Sequence, residues 1–183
     1  MSRRLLWLAH ARRGAPPAPP SPTQQQPGPF DDAMMARALS LAAQAASLGE
    51  VPVGAVVYHS STGGVLGEGF NRRETDHDPA AHAELLAIRQ ACLRIGDWRL
   101  NDYSLAVTLE PCVMCAGLIV NARIGRLVFG ATDPKAGAAA SLYRITEDAR
   151  LNHRVTPIPG LMAPRSTALL RAFFSSLRTR GKA

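Results

Sequence analysis

From position 31 onward the chain switches between two hydrophobic periods. Ala33, Met34, Ala36, Leu39, Leu41, Ala42 and Ala45 recur at helical spacing behind an Asp31-Asp32 pair that can cap and suits a helix N-terminus, and Gly49 supplies the stop. Two short apolar runs follow, Val53 to Tyr58 and Gly64 to Phe70, parted by Ser60-Ser61-Thr62-Gly63, which is the pattern of a β-hairpin. A polar loop, Arg72 to Asp78, leads through Pro79 into an alanine- and leucine-rich helix expected over Ala80 to Arg94, closed by Gly96. The spacing then predicts a strand over Tyr103 to Thr108, a helix over Cys112 to Asn121, a strand over Arg126 to Ala131 and a last helix over most of Leu161 to Arg178. Strands alternating with helices behind an opening hairpin build an α/β protein with a mixed sheet and helices on both faces.

The first thirty residues do not share this patterning. An alanine and proline tract (Ala15 to Pro22) and the run Gln24-Gln25-Gln26-Pro27-Gly28-Pro29 lack apolar periodicity, so residues 1–30 read as a disordered Arg/Pro-rich extension ahead of one domain, 31–183. Leu5-Leu6-Trp7-Leu8 is too short for a secretory signal, whereas an arginine-rich, acid-free start is compatible with an organelle transit peptide. An upstream start, with Met34 or Met35 as the true beginning, is the other reading.

At 183 residues the chain can bury one ordinary core and is short for two catalytic domains. Apolar runs such as Ser104 to Thr108 fall well short of the roughly 20 residues a membrane helix needs. Three cysteines do not make a disulfide scaffold, which favours a reducing, cytoplasmic setting. The net charge of +7 is unevenly spread: residues 1–30 hold four arginines and no acid, and from Ala149 onward there are seven basic residues and no acid. Residues 31–148 therefore carry all 14 acids against ten basic residues. Basic ends on an acidic body suit a polyanionic partner met from the termini, or else a solvated arginine face.

The chemistry concentrates in His82-Ala83-Glu84 and Pro111-Cys112-Val113-Met114-Cys115. Either pattern alone is unremarkable: a helix can carry His-x-Glu by chance, and Cys-x-x-Cys can be a redox pair or half a zinc finger. Together, both following strands at helix N-termini, they supply two thiolates and one imidazole where free amides favour thiolates. Structural zinc takes four protein ligands, whereas catalytic zinc takes three and keeps a position open. Cys92 lies ten residues past His82, about 15 Å along a helix, too far to join it on one metal, and reads as a core thiol. His77 and His153 fall in polar loops, where a surface role is the default. Glu84 is about 200° around the helix from His82, so the two share a site only ahead of the helix end. A carboxylate placed there can shuttle protons between an activated water and a leaving amine, although a first-turn glutamate also serves the helix dipole.

This combination, His-Ala-Glu followed by Pro-Cys-x-x-Cys, resembles the zinc-dependent cytidine deaminase superfamily. More of the chain is similar to its bacterial tRNA-specific adenosine deaminases: Gly49 to Val56, Gly67 to Arg72, His77-Asp78-Pro79, Thr108 to Gly117, Val128 to Ala131, and Asp133, Lys135, Gly137 to Ala139, Ser141-Leu142 and Leu151 to Val155. The resemblance implies a three-layer α/β/α fold on a mixed five-stranded sheet, and one zinc per subunit held by His82, Cys112 and Cys115. It implies hydrolytic deamination of adenosine to inosine at the wobble position of a tRNA anticodon, with Glu84 as proton shuttle, in a homodimer whose sites lie near the subunit interface. By the same resemblance Asn71 holds the base, the Ala83 amide meets the reacting edge, Leu109 and Pro111 line the pocket, and Asp133 touches a neighbouring ribose. Phe173 and Phe174 would pack around the loop nucleotides. An anticodon loop suits such an enzyme because its unstacked bases enter a pocket cheaply. The tail Ser175 to Arg180 is less densely basic than the family's, and Pro164-Arg165-Ser166 opens the last helix unusually. A deaminase of free nucleobases or nucleosides shares the zinc chemistry and is the alternative; a non-catalytic zinc-bound RNA-binding subunit would usually lack the glutamate.

Overall fold

The computed structural model describes residues 26–180. Of the expected extension, positions 1–25 lie outside the described residues. The element order is α1 (Asp31–Ser47), β1 (Gly54–His59), β2 (Val65–Phe70), α2 (Ala83–Ile95), β3 (Tyr103–Leu109), α3 (Val113–Asn121), β4 (Arg126–Ala131), β5 (Pro157–Ile158) and α4 (Ala163–Arg180). The strands form one mixed sheet in the order β2-β1-β3-β4-β5. β1 pairs antiparallel with both β2 and β3, while β3, β4 and β5 run parallel. The fifth strand is two residues long, too short to carry a period, and was not visible in the hydrophobic pattern.

Alternate side chains leave the sheet on opposite faces, and the two cores divide accordingly. Ala55, Val57, Leu105, Val107, Leu127 and Phe129 pack with Ala87, Ile88 and Ala91 of α2 and Ile119 of α3. Val56, Tyr58, Ala106 and Val128 pack with Met35, Ala38 and Leu39 of α1 and with Leu169 of α4. This is the expected three-layer α/β/α arrangement. Phe30 joins the α1 side, where its ring lies over Gly63.

Three local readings change in the structure. Asp31 does not cap α1 through its side chain; the N-cap is Phe30, and the buried Asp31 carboxylate accepts hydrogen bonds from the Gly28 amide (2.6 Å), the Tyr58 hydroxyl and the Arg126 guanidinium (2.8 Å). It therefore ties α1 to β1 and β4. The second helix starts at Ala83 rather than Ala80, because Asp78 turns the chain first: its carboxylate accepts from the Ala80 amide and its carbonyl from the Ala81 amide. Cys112 stands before α3 as its N-cap, not as its first helical residue.

Two glycines set how closely α2 approaches the sheet. A Cβ on Gly67 would lie 2.0 Å from the Ala87 carbonyl oxygen, and one on Gly69 would lie 2.3 Å from that of Ala83. Backbone packs directly on backbone there, which fixes the N-terminal end of α2 over β2.

Candidate active site

Because β1 is antiparallel to its two neighbours, β2, β3 and β4 all point the same way. Their last residues, Phe70, Leu109 and Ala131, therefore open onto one edge of the sheet. Asn71 follows the first, Glu110 to Cys112 follow the second and Asp133 lies just past the third. The crevice beyond the carboxyl ends of such strands is where open α/β sheets gather ligand groups.

Two helix starts complete the edge. His82 is the N-cap of α2 and Cys112 the N-cap of α3, both in extended backbone, so each side chain stands ahead of its helix. Cys115, in the first turn of α3, is buried. The three donor atoms lie within 4.8 Å of one another. His82 Nδ1 is 3.7 Å from Cys112 Sγ and 3.5 Å from Cys115 Sγ. Zinc bonds to nitrogen and sulfur meeting at a tetrahedral angle put those atoms about 3.5–3.6 Å apart, so this donor set fits zinc in both element and spacing. Cys112 is held down to about 3, first by the hydrogen bond from the Cys115 thiol and then by His82 and the Cys115 amide, outweighing burial. His82 is raised, first through its hydrogen bond with Cys112. The thiolate of Cys112 is in the form a metal binds, and metal binding would release the protons that His82 and Cys115 hold.

Glu84, two residues into α2, is 3% exposed, and burial pushes its carboxyl above the usual carboxylate range. The thiolate of Cys112 adds to that shift, while His82 and the helix's own amide oppose it. A carboxyl raised in this way keeps its proton to higher pH than a free glutamate and can release it to a basic atom in the crevice.

Asn71 is buried, with its amide donating to the Val53 carbonyl and its Nδ2 donating to Glu50 Oε2 at 3.1 Å. Ala83 and Pro111 are buried and Leu109 half-buried at the same edge. Asp133 is half-buried, its Oδ1 accepting from the Lys135 and Ala136 amides at 2.9 and 3.2 Å. Phe173 lies elsewhere: it is half-buried on α4, in the layer opposite α2 and α3, and meets the exposed Phe174 edge to face. Cys92 is half-buried against the α2 side of the core, with burial raising its thiol, and takes no part in the three-donor cluster. His77 is exposed in its loop, whereas the half-buried His153 donates from Nε2 to the Ile124 carbonyl at 2.7 Å.

Two buried carboxylates had no role in the sequence reading. Glu50 accepts the Thr75 amide at 2.6 Å as well as Asn71, and Glu110 accepts amides from the loop after β4. The only signal either leaves in the sequence is an acid set among apolar neighbours at a strand boundary.

Residues 29–131 match the cytidine and deoxycytidylate deaminase zinc-binding region. Over 153 residues, 84% of this chain and 88% of the relative, the sequence is 44% identical to a tRNA-specific adenosine deaminase of Haemophilus influenzae. The chain belongs to the tRNA-specific adenosine deaminases of the cytidine deaminase family. A solved structure from studies of A-to-I editing by tRNA:A34 deaminases at the wobble position superposes with a TM-score of 0.72 at 41% identity, covering 75% of this chain and 99% of the other. A Bacillus subtilis guanine deaminase is less similar to this deaminase, with a TM-score of 0.53 at 31% identity over 61% of this chain and 80% of its own. The family's zinc-binding region contains all three donors and Glu84.

Proposed function

We infer that this protein is a zinc-dependent tRNA adenosine deaminase that converts adenosine to inosine at wobble position 34 of the anticodon. The observation that carries this reading is the three-donor cluster with one buried carboxyl beside it, in a chain 44% identical to a tRNA-specific adenosine deaminase.

His82, Cys112 and Cys115 would hold the metal, which when bound supplies a Lewis acid that makes water nucleophilic at neutral pH. Glu84 moves the protons: it passes one from the attacking water to the ring nitrogen next to the attacked carbon, then takes one from the hydroxyl added at that carbon and delivers it to the amine, which leaves as ammonia. Burial favours the protonated form of Glu84, which suits that first transfer. Asn71, held by Glu50, binds the base edge, and the Ala83 amide at the start of α2 points at the reacting side. Leu109 and Pro111 form an apolar wall, and Asp133 meets the ribose of a flanking nucleotide. Phe173 would bear on the anticodon loop from α4.

The reading includes a homodimer. Val113 and Met114 are exposed at the start of α3, and Leu142 and Tyr143 are exposed on the segment bonded to Gly137, which bridges to Cys112. An apolar rim of this kind beside the crevice suits cover by a second copy. We place the deaminase unit at 31–183, with Gly28 and Phe30 of the preceding segment packed onto it, and the protein in the cytoplasm. No helix among the described residues is long and apolar enough to cross a membrane.

The test is inosine formation in whole tRNA and in an anticodon stem-loop with adenosine at position 34, beside free adenosine, cytidine and guanine. Inosine at that position alone is expected. Ammonia released only from a free base or nucleoside would overturn the substrate and leave the zinc chemistry standing.

A further inference from the structure

Glu110 sits between the last residue of β3 and Pro111, two positions before the N-cap Cys112. It is 2% exposed, yet it carries a carboxylate. Oε1 accepts the amides of Ala139, Ala140 and Ser141 at 3.2, 2.7 and 2.7 Å, and Oε2 accepts the Asp133 amide at 3.0 Å and the Ser141 hydroxyl. All five donors come from the one loop that follows β4. The same loop also pairs with the metal-ligand turn in the Cys112–Gly137 bridge, where the Ala138 amide donates to the Pro111 carbonyl at 2.8 Å. A Cβ on Gly137 would lie 2.4 Å from the Glu110 carboxylate, so the loop backbone rests directly on this side chain.

The arrangement has a direction. Asp133 folds its own carboxylate onto the Lys135 and Ala136 amides, which makes a closed turn at the head of the loop. The bond from the Asp133 amide to Glu110 Oε2 fixes that turn to the side chain leading into Cys112, whereas Oε1 holds the far end of the loop. One carboxylate thus spans the loop and, with the Cys112–Gly137 bridge, holds Asp133 against the metal-ligand turn.

We propose that Glu110 is a positioning residue for RNA: through the Asp133 amide it places the edge of the crevice that meets the flanking nucleotide, without acting on the deamination step. This rests on the reading of Asp133 as a substrate contact.

Glu110→Gln separates the two ends of the carboxylate. The glutamine oxygen can keep the three amides of residues 139–141, while its NH2 group faces the Asp133 amide, donor against donor, and the Ser141 hydroxyl can turn to accept. The measurements are zinc per chain, amide exchange along residues 133–141, and kcat and KM on an anticodon stem-loop, for Glu110→Gln, Asp133→Ala and the double variant. Expected are one zinc per chain, faster exchange at the Asp133 end, KM raised about tenfold or more with kcat within about threefold, and a double variant no worse than the worse single. Loss of zinc, a fall in kcat at unchanged KM, or additive effects in the double variant would overturn the proposal. If Glu110→Gln does not fold, Ser141→Ala removes one donor from the same oxygen; it is expected to raise KM less, at constant kcat, and an unchanged KM overturns the proposal. Wild-type protein inert on RNA would instead sink the substrate reading, and equal exchange at Asp133 in wild type and Glu110→Gln would then refute the positioning role by itself.

Discussion

Glu84 and the three donors occupy the N-caps and first turns of two helices, where side chains can project beyond the helix end and amides lack intrahelical partners. That position makes their chemistry separable by mutation. Glu84→Ala is expected to keep one zinc per subunit and to lose deamination by about 10²–10⁴-fold, because the proton shuttle goes and the ligands stay. Metal analysis beside single-turnover kinetics checks this; a variant that loses zinc would show that the carboxylate supports the ligands instead. The cluster of His82, Cys112 and Cys115, and Glu84 as the candidate beside it, were legible in the sequence because metal and acid-base chemistry restrict residue type and spacing. Glu50 and Glu110 were not, since a carboxylate acquires a structural task only from the amides that a distant segment brings to it.

At the scale of elements, the contact between α2 and β2 decides where His82 stands. Gly69 lies under Ala83, the residue after the N-cap, and a Cβ there meets the Ala83 carbonyl at 2.3 Å, a backbone atom that cannot swing away. Gly69→Ala is therefore expected to cost about 1–3 kcal/mol in urea unfolding and to weaken zinc binding in a chelator competition, because α2 must lift with its ligand. Unchanged zinc affinity would mean that the loop before α2 places His82 without the strand. Helix and strand periods gave α1, the hairpin, β3, α3, β4 and α4 nearly at their observed limits. The start of α2 was misread because Ala80 and Ala81 are good helix formers, while Asp78 takes their amides into a turn. Two-residue β5 exists only as a pairing with β4 and leaves no periodic trace.

Over the whole molecule, carboxylates held by hydrogen bonds tie stability to pH. Burial pushes Glu50 up, but hydrogen bonds from Thr75 and the Glu74 amide outweigh it and hold the carboxyl below its ordinary value. Glu68 is also lowered, chiefly by the hydrogen bond from Arg37. A carboxyl lowered on folding stabilises the protein above its unfolded pKa, about 4.3 for glutamate, and that stability is lost as pH falls through the folded value. Urea midpoints are thus expected to change little on this account from pH 6 to 7 and to fall below about pH 4.3, with a shallower fall in Glu50→Gln. An identical pH slope in the variant would remove Glu50 from the explanation.

The sequence by itself determined the alternation of helix and strand, the three donors of the metal cluster, the glutamate proposed as proton carrier and the family, because periodicity and ligand chemistry are local constraints on residue type. Tertiary structure alone decided the rest. The strand order turns the ends of β2, β3 and β4 to one edge, so that Asn71, Glu110 and Asp133, scattered over 63 positions, converge there. Asp31, Glu50 and Glu110 became anchors only once folding delivered partners from remote strands and loops. A buried carboxylate must be satisfied where the chain happens to bring donors together, and that meeting is a property of the topology.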